Sequence, residues 1–154
     1  MSETARIADQ LRRAFESAAW HGDSLFEILN GVTAARAAVH PIRNGHSIWE
    51  LVLHIAAWDG AVMRRMTGVA VKLSRQKNFP PVSDTSPAAW KHALAEVRRV
   101  HEELIDAVEK FPEASLNEQV PGKKGAYYNF YYMLQGVVQH ELYHAGQIAL
   151  LKKM

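Results

Sequence analysis

Apolar residues recur at intervals of three and four along most of the chain, and this period constrains the fold more than any other feature of the sequence. A period near 3.6 residues is typical of one face of an α-helix, whereas a strand requires alternation. Four long segments carry the pattern, at about residues 3–30, 47–67 and 86–111 and from about residue 129 almost to the end. They predict an all-α fold, a four-helix bundle with long connecting loops.

Capping signals mark the ends of the two middle segments. Ser47 and Glu50 have the S-x-x-E spacing of a capping box, and Gly68 stands where a glycine cap ends a helix. In the third segment, Pro87 occupies the first turn and Pro112 stops the helix. Both helices are therefore predicted with defined ends.

The first segment contains an interruption. Gly22 falls inside it, and Ser24 and Glu27 repeat the capping-box spacing two residues later. The segment is therefore predicted to be either one kinked helix or two consecutive helices.

The connections between the segments are long, at about residues 31–46, 68–85 and 112–128. Helices in a bundle are usually joined by about two to eight residues, and longer loops often carry function. The middle connection contains the stiff apolar stretch Phe79 to Pro81. This stretch is interpreted either as a lid over one end of the bundle or, as is commoner for such loops, as a cover for the core.

Composition limits both the domain count and the chemistry. A chain of 154 residues has about the length of one domain, so residues 1–154 are predicted to form a single four-helix-bundle domain. The chain has no cysteine, which excludes disulfides, thiolate metal ligands and a cysteine nucleophile. Any metal ion must therefore be held by histidine and carboxylate side chains.

Charge and hydropathy predict no large polyanionic or lipid partner. The formal net charge is +2, and the charged residues are interspersed rather than clustered, so neither nucleic acid nor a membrane surface is an expected partner. No stretch approaches the roughly 18 apolar residues of a membrane span, and the first residues do not resemble a signal peptide. A cytoplasmic location is the resulting expectation.

Two of the eight histidines lie four residues apart on the fourth segment, in the string HELYH. A spacing of four places His140 and His144 on one face of a helix, one turn apart, where both rings project in the same direction. That face is otherwise apolar. Two buried imidazoles need partners for their nitrogens, and either a metal ion or hydrogen bonds from neighbouring helices would supply them.

A third histidine on the second segment favours the metal interpretation. His54 lies on the apolar face of its helix, about midway along it, as the other two lie on theirs. Three imidazoles from two facing helices would leave coordination positions open, as catalytic metal sites do. His101 also lies on an apolar stripe and could be a fourth ligand, a supporting residue or a hydrogen-bonded core histidine, of which the last is favoured.

The same string matches H-E-x-x-H, the motif of zinc metalloproteases, in which Glu141 would be the general base. The context does not fit, because the extended motif needs a glycine and a histidine where the chain has Gln147 and Leu150. Only ten residues follow His144, so a third ligand must come from upstream. Glu141 is predicted at the edge of the site, either solvated or supporting a ligand, with general base as a minority interpretation.

Other residues near the three histidines are candidates for supporting roles. Gln147 lies on the core face and is interpreted as a substrate contact, a residue that orients a ligand, or a buried amide bonded to backbone. Tyr143 is a candidate for the wall of the pocket. Gly136, one turn before His140, leaves space above a metal ion or permits a close helix crossing. Glu50 either completes the capping box, the favoured interpretation, or receives a ring N–H from a ligand.

The segments WHGDSLFEIL, SIWELVLHIAAWD and GVVQHELYHAGQIALLKK resemble the DinB-like superfamily of metalloenzymes, and the resemblance covers essentially the whole chain. It implies a four-helix bundle that binds one divalent metal ion through His54, His140 and His144. It also implies reactions of small molecules with low-molecular-weight thiols in some branches, hydrolysis in others, and homodimers in many members.

The reaction is less constrained than the metal site, because function depends on the pocket rather than on the bundle. A metal-dependent, thiol-dependent S-transferase or isomerase is predicted, acting on a small-molecule substrate, with the thiol supplied as a soluble co-substrate because the chain has no cysteine. The alternatives are a metal-dependent hydrolase and a non-enzymatic metal-binding bundle. Three imidazoles accept zinc, nickel or iron, among other metals, so the identity of the ion stays open.

Overall fold

The computed structural model describes all 154 residues and contains α-helices and one short 3₁₀ helix. The helices are α1 (Glu3–Phe15), α2 (Leu25–Leu29), α3 (Ala34–Ala37), α4 (Ile48–Met66), α5 (Arg75–Asn78), α6 (Pro87–Lys110) and α7 (Phe130–Lys153), with the 3₁₀ helix at Glu113–Asn117. Helices α1, α4, α6 and α7 form the bundle, and this confirms the predicted all-α fold. No helix is both long enough and apolar enough to cross a membrane.

The predicted ends of the long helices are confirmed by their caps. The Ser47 side chain accepts from the Glu50 backbone N–H, and the Glu50 carboxylate accepts from the Ser47 N–H, so the capping box is complete. Gly68 follows α4 at φ +88°, a conformation that favours glycine. Ser86 caps α6 and Asn129 caps α7 in the same way as Ser47 caps α4.

The first segment forms two helices rather than one kinked helix. Helix α1 ends at Phe15, and α2 begins only at Leu25, after its own capping box of Ser24 and Glu27. The chain between them includes two residues with positive φ, Ala18 and Gly22, which no helix can accommodate. The alternative of two consecutive helices is therefore confirmed, with a longer gap between them than the pattern indicated.

Neighbouring helices of the bundle run in both relative directions. The Trp49 ring packs on Trp90, and Asp59 meets His101, so α4 and α6 are parallel. Helix α7 is antiparallel to α4. Helix α1 is antiparallel to α6, because Glu3 at its start bonds Glu113 beyond the end of α6, whereas Phe15 at its end stacks on His101 within α6. Parallel α4 and α6 require a connection that returns along the bundle, which explains the length of residues 67–86.

The interior is divided into two apolar clusters with a polar layer between them. One cluster contains the N-terminal parts of α4 and α6 and the C-terminal part of α7, and the other contains their opposite ends together with most of α1. The residues at the boundary, which we call the polar layer, are Asp59 on α4, His101 on α6 and Glu141 on α7, all fully buried. Helices α4, α6 and α7 therefore each contribute one ionisable side chain to the polar layer.

Candidate metal centre

The three predicted histidine ligands lie together where α4 faces α7. Nε2 of His140 is 3.0 Å from Nε2 of His54 and 3.1 Å from Nε2 of His144. His54 and His144 are buried, and His140 is partly buried. The structure thus brings these rings to one point, as their positions on the two helices predicted.

Hydrogen bonds on the opposite side of two rings fix which nitrogen carries the proton. Nδ1 of His54 donates to the Asn78 carbonyl oxygen at 2.6 Å, and Nδ1 of His144 donates to Oε1 of Gln147 at 2.7 Å. With hydrogen on Nδ1, the lone pair of a neutral imidazole is on Nε2. These lone pairs therefore point toward the space shared with His140.

The donor set fits a divalent cation. Burial lowers the pKa of His54 to about 4, against the effect of its bond to Asn78, and burial with the neighbouring rings lowers the pKa of His140 to about 3. The pKa of His144 is also lowered, chiefly by burial. The converging lone pairs of His54 and His144 can be satisfied by an N–H of His140 or by a cation among the three rings, and Nδ1 of His140 is buried without a partner. Zinc bonds of about 2.1 Å at tetrahedral angles separate nitrogens by about 3.4 Å, close to the observed spacing.

The loop from α5 supports His54 in a way that the sequence did not indicate. Asn78 accepts from His54 through its backbone and from Trp58 Nε1 through its side chain at 2.8 Å. Phe79 stacks on the His54 ring with centroids 4.0 Å apart, and His46 stacks on the other face of Phe79. The Phe79 to Pro81 stretch was interpreted as a lid or, preferably, a core cover; Phe79 does pack against one of the apolar clusters, and it also packs directly on a candidate ligand. The spacing of residues in the sequence does not indicate the contact between His54 and Asn78, which are 24 positions apart.

A cavity of about 940 Å³ opens beside the three histidines. Gly136 and Tyr143 both line it, and a Cβ added at Gly136 would meet no atom within 4 Å. The glycine therefore leaves open space, which is one of its two predicted roles. Tyr143 is largely exposed, and its ring lies 5.1 Å from that of His144.

Two further candidates have the supporting roles that were among their predicted alternatives. Gln147 orients His144 by accepting from Nδ1, and it does not line the cavity. Glu50 completes the capping box, and its carboxylate also lies 3.0 Å from His40 and 3.3 Å from His46. Gln147 bonds His144 alone among the candidate ligands, and Glu50 bonds none of them.

Glu141 does not lie at a solvated edge of the site, where the sequence placed it. Its side chain is fully buried, points away from the cavity and lies in the polar layer, with Oε1 2.7 Å from His101 Nδ1. The second carboxylate of the layer, Oδ2 of Asp59, lies 3.1 Å from the same nitrogen. A helical wheel predicts the direction in which the Glu141 side chain leaves α7. It does not show that His101 on α6 is the partner that allows this side chain to be buried.

His101 is the hydrogen-bonded core histidine that the sequence favoured. Its Nε2–H donates to the Leu11 carbonyl oxygen at 3.3 Å, its ring stacks on Phe15, and its Nδ1–H donates to Asp59. Burial opposes a charge on this ring, but the carboxylates of Glu141 and Asp59 outweigh it and raise the pKa of His101 to about 10. His101 is therefore an imidazolium at neutral pH.

The polar layer is close to neutral as a whole. Burial and the nearby charge of Asp59 raise the pKa of Glu141 to about 8, although His101 opposes the shift. Burial also raises the pKa of Asp59, and its hydrogen bonds with His101 and Glu141 counteract this. A charged His101 and one negative charge shared between the two carboxyl groups sum to zero, which is the arrangement that a buried cluster favours.

The three groups of the polar layer also lie near enough to one another to hold a metal ion. Their direct contacts at 2.7 and 3.1 Å are ion-pair and hydrogen-bond distances, and the layer does not line the cavity beside the three histidines. Oδ1 of Asp59 and both carboxylate oxygens of Glu141 are buried without a hydrogen-bond partner, so the charge of His101, rather than hydrogen bonding, accounts for the burial of this cluster. The three histidines, with their open cavity, remain the candidate metal centre.

The charge on His101 predicts a pH dependence. Because the pKa is about 10 in the folded chain and near 6.5 in the unfolded one, the stability that this group contributes is fully present below pH 6.5. It is lost as the pH rises through 10. We expect ring ¹³C and ¹⁵N NMR shifts of His101 to stay at imidazolium values up to about pH 9. Deprotonation below pH 8 would contradict the charge assigned to the layer.

A helical bundle in which three histidines, two buried and one partly buried, converge beside an open cavity belongs to the class of metal-binding bundles. The model of the DinB superfamily matches residues 17–148. The chain therefore belongs to the DinB superfamily, a metal-binding fold, and this confirms the predicted family. No curated protein and no solved structure shows significant similarity to the chain.

Proposed function

We propose that the chain is a metal-dependent enzyme that transfers a low-molecular-weight thiol to an electrophilic small molecule. The observation that carries the proposal is the convergence of Nε2 of His54, His140 and His144 at the wall of a cavity of about 940 Å³. A divalent ion bound there would lower the pKa of a thiol enough to keep it as thiolate at neutral pH. The identity of that ion stays a prediction of zinc, nickel or iron.

The chain's own residues orient the ligands and shape the pocket. Asn78 and Gln147 fix the protonated nitrogens of two rings, and Phe79 holds the plane of the His54 ring. Trp58 and the tyrosines of α7 give the cavity aromatic walls. The thiol has to come from solution, because the chain has no cysteine.

The proposed reaction is a substitution at carbon. The thiol loses its proton to solvent, and a sulfur lone pair forms the new bond to the electrophilic carbon. The leaving group departs with the electron pair of its bond and takes up a proton. The products are one thioether and one protonated leaving group, and no oxidant or reductant is required.

The lining of the cavity favours a thiol over water as the nucleophile. A hydrolase that activates water usually needs a carboxylate or another base within reach of that water. None of the residues that line the cavity is aspartate or glutamate, and Glu141 is sealed in the polar layer. A thiolate attacks without such a base, so this pocket is better suited to thiol transfer.

Turnover of an aryl halide by metal-loaded protein tests the proposal. We expect 1-chloro-2,4-dinitrobenzene to react with an added thiol, such as glutathione or 2-mercaptoethanol, faster than in the uncatalysed reaction only when metal-loaded protein is present. Treatment with a chelator should lower the rate to that of the uncatalysed reaction, and readdition of the metal should restore the excess rate. Absorbance of the thioether provides the rate.

His92→Ala is the matched control, since His92 is exposed on α6 and lies outside the cavity, and it should keep full activity. His54→Ala should lose it. Metal-dependent turnover of p-nitrophenyl acetate without thiol would reject thiol transfer in favour of hydrolysis. Bound metal without activity on a broad panel of electrophiles and esters would favour a non-enzymatic bundle. The homodimer implied by the resemblance stays a prediction, which light scattering would test.

A further inference from the structure

Arg65 is a buried cation that lines the cavity. Along α4 it lies at the end of the cavity opposite to His54. Only 2% of its surface is exposed, although it lines the cavity together with Trp58 and His54. It follows His54 by eleven residues, which is three helical turns and about 20°, so both side chains leave the same face of α4. The cavity therefore has the candidate metal centre at one end and a guanidinium group at the other.

No carboxylate neutralises this guanidinium. None of the ion pairs of the chain includes Arg65. Its hydrogen bonds go to a single backbone oxygen, that of Val71, at 3.3 Å from Nε and 2.8 Å from Nη2. Its other neighbour is the Trp58 ring, whose centroid lies 5.3 Å from Cζ. A buried charge without a counter-ion is costly, and proteins usually pair it.

The surroundings add positive rather than negative charge. The cavity lining contains no aspartate or glutamate. Burial lowers the pKa of Lys123, and the charge of Arg65 lowers it further, so the two cations lie near each other. The ammonium group of Lys123 lies 4.8 Å from the centroid of the Tyr128 ring, another lining residue. This end of the cavity is consequently suited to an anion.

We propose that Arg65 binds a carboxylate of the ligand that occupies the cavity. The inference rests on the proposed function, because it names the substrate class of the same site. Nε and Nη2 form the edge of the guanidinium that faces Val71, and Nη1 has no partner in the chain. Nη1 is also not sealed from solvent. The free edge of Nη1 and Nη2 matches the two oxygens of a carboxylate.

The spacing of the two ends constrains the shape of the ligand. Eleven residues of α-helix separate the Cα atoms of His54 and Arg65 by about 16 Å, and the long arginine side chain shortens the distance that a ligand has to cover. The walls between the ends are largely aromatic, with Trp58 on α4 and Tyr132 on α7. The expected ligand is therefore elongated, with an apolar middle, a carboxylate at one end and a reacting group at the other.

A pair of matched probes tests the inference without turnover. We compare binding of 4-phenylbutyrate and of its neutral analogue 4-phenylbutyramide to the full chain by calorimetry, in metal-free and in metal-loaded protein. Charge-assisted hydrogen bonds predict that the carboxylate binds about 10- to 100-fold more tightly than the amide. Arg65→Gln should reduce this preference to less than about threefold, and Arg65→Lys should keep part of it.

Lys124→Gln is the matched control, because Lys124 is an exposed cation that does not line the cavity, and its preference should equal that of the unaltered chain. Circular dichroism checks that each variant is folded. If Arg65→Gln does not fold, the unaltered chain and Arg65→Lys still decide. Equal binding of the two probes, no binding of the carboxylate at millimolar concentration, or a preference that exists only with metal bound would each overturn the inference.

Competition identifies which reactant carries the carboxylate. Displacement of 4-phenylbutyrate by glutathione, but not by 2-mercaptoethanol, would place the carboxylate on the thiol. Displacement by neither would place it on the electrophile. These measurements require no reaction, so they distinguish failure of thiol transfer from failure of anion binding. If only thiol transfer fails, the preference for the carboxylate probe over the amide stays. If anion binding fails, that preference is lost whatever the activity.

Discussion

His140→Ala is expected to abolish stoichiometric metal binding while the bundle stays folded. Its Nε2 lies within 3.1 Å of the corresponding atoms of both His54 and His144, so this ring joins the other two. Loss of residues that only support ligands weakens metal sites by about 10- to 100-fold, and removal of a ligand should cost more than that. Metal content by mass spectrometry should fall from about one ion per chain to near zero, while far-ultraviolet circular dichroism should be nearly unchanged.

The apolar clusters on both sides of the polar layer are the reason to expect a folded variant, since they include no candidate ligand. His92→Ala, on an exposed face of α6, is the matched control and should retain its metal. Normal metal stoichiometry in His140→Ala would remove this histidine from the site. Loss of helical structure when the unaltered chain is treated with a chelator would instead show that the ion is structural.

His101→Leu is expected to destabilise the chain by about 3–5 kcal/mol, because it removes the one cation from a fully buried layer that also holds two carboxyl groups. The Leu11 carbonyl oxygen would lose its donor as well. For a chain of this length the loss corresponds to a decrease in melting temperature on the order of 10 °C. Urea denaturation of metal-free protein at pH 7 measures it without a contribution from bound metal.

His92→Leu makes the same chemical change on an exposed face of the same helix, and it should alter stability by less than about 0.5 kcal/mol. If His101→Leu costs less than about 1 kcal/mol, then His101 does not carry the charge that we assign to it. Combining it with Asp59→Asn and Glu141→Gln should recover part of the loss, because no unpaired charge then remains buried.

The long helices could be predicted from the sequence because their signals are local. Apolar spacing marked the buried faces, and Ser47, Ser86 and Asn129 are the caps at which α4, α6 and α7 begin. The break after Phe15 was less clear, since it depends on positive φ at Ala18, a residue that rarely adopts it. The relative directions of the helices could not be predicted, because long connections permit several.

The convergence of the histidines could also be predicted, since it needs only helix periodicity and facing helices. Asn78 and Arg65 could not be recognised as parts of the site. Asn78 reaches His54 through a backbone oxygen, and a backbone contact leaves no trace in residue type. Arg65 stands out because no counter-ion lies near it, and only a three-dimensional structure shows which residues surround it. Glu141 was misplaced because its partner His101 lies on another helix.

The polar layer has a consequence for how the helices align along their axes. Long loops would tolerate a shift of one helix by a turn, about 5.4 Å, and leucine and valine faces would still meet after such a shift. The same shift would place Glu141 against an apolar neighbour and leave Asp59 and His101 without it, with a cost of several kcal/mol. Glu141 on α7 therefore fixes the axial position of α7 relative to α4 and α6. Bundles in which one helix is shifted by a turn are disfavoured during folding.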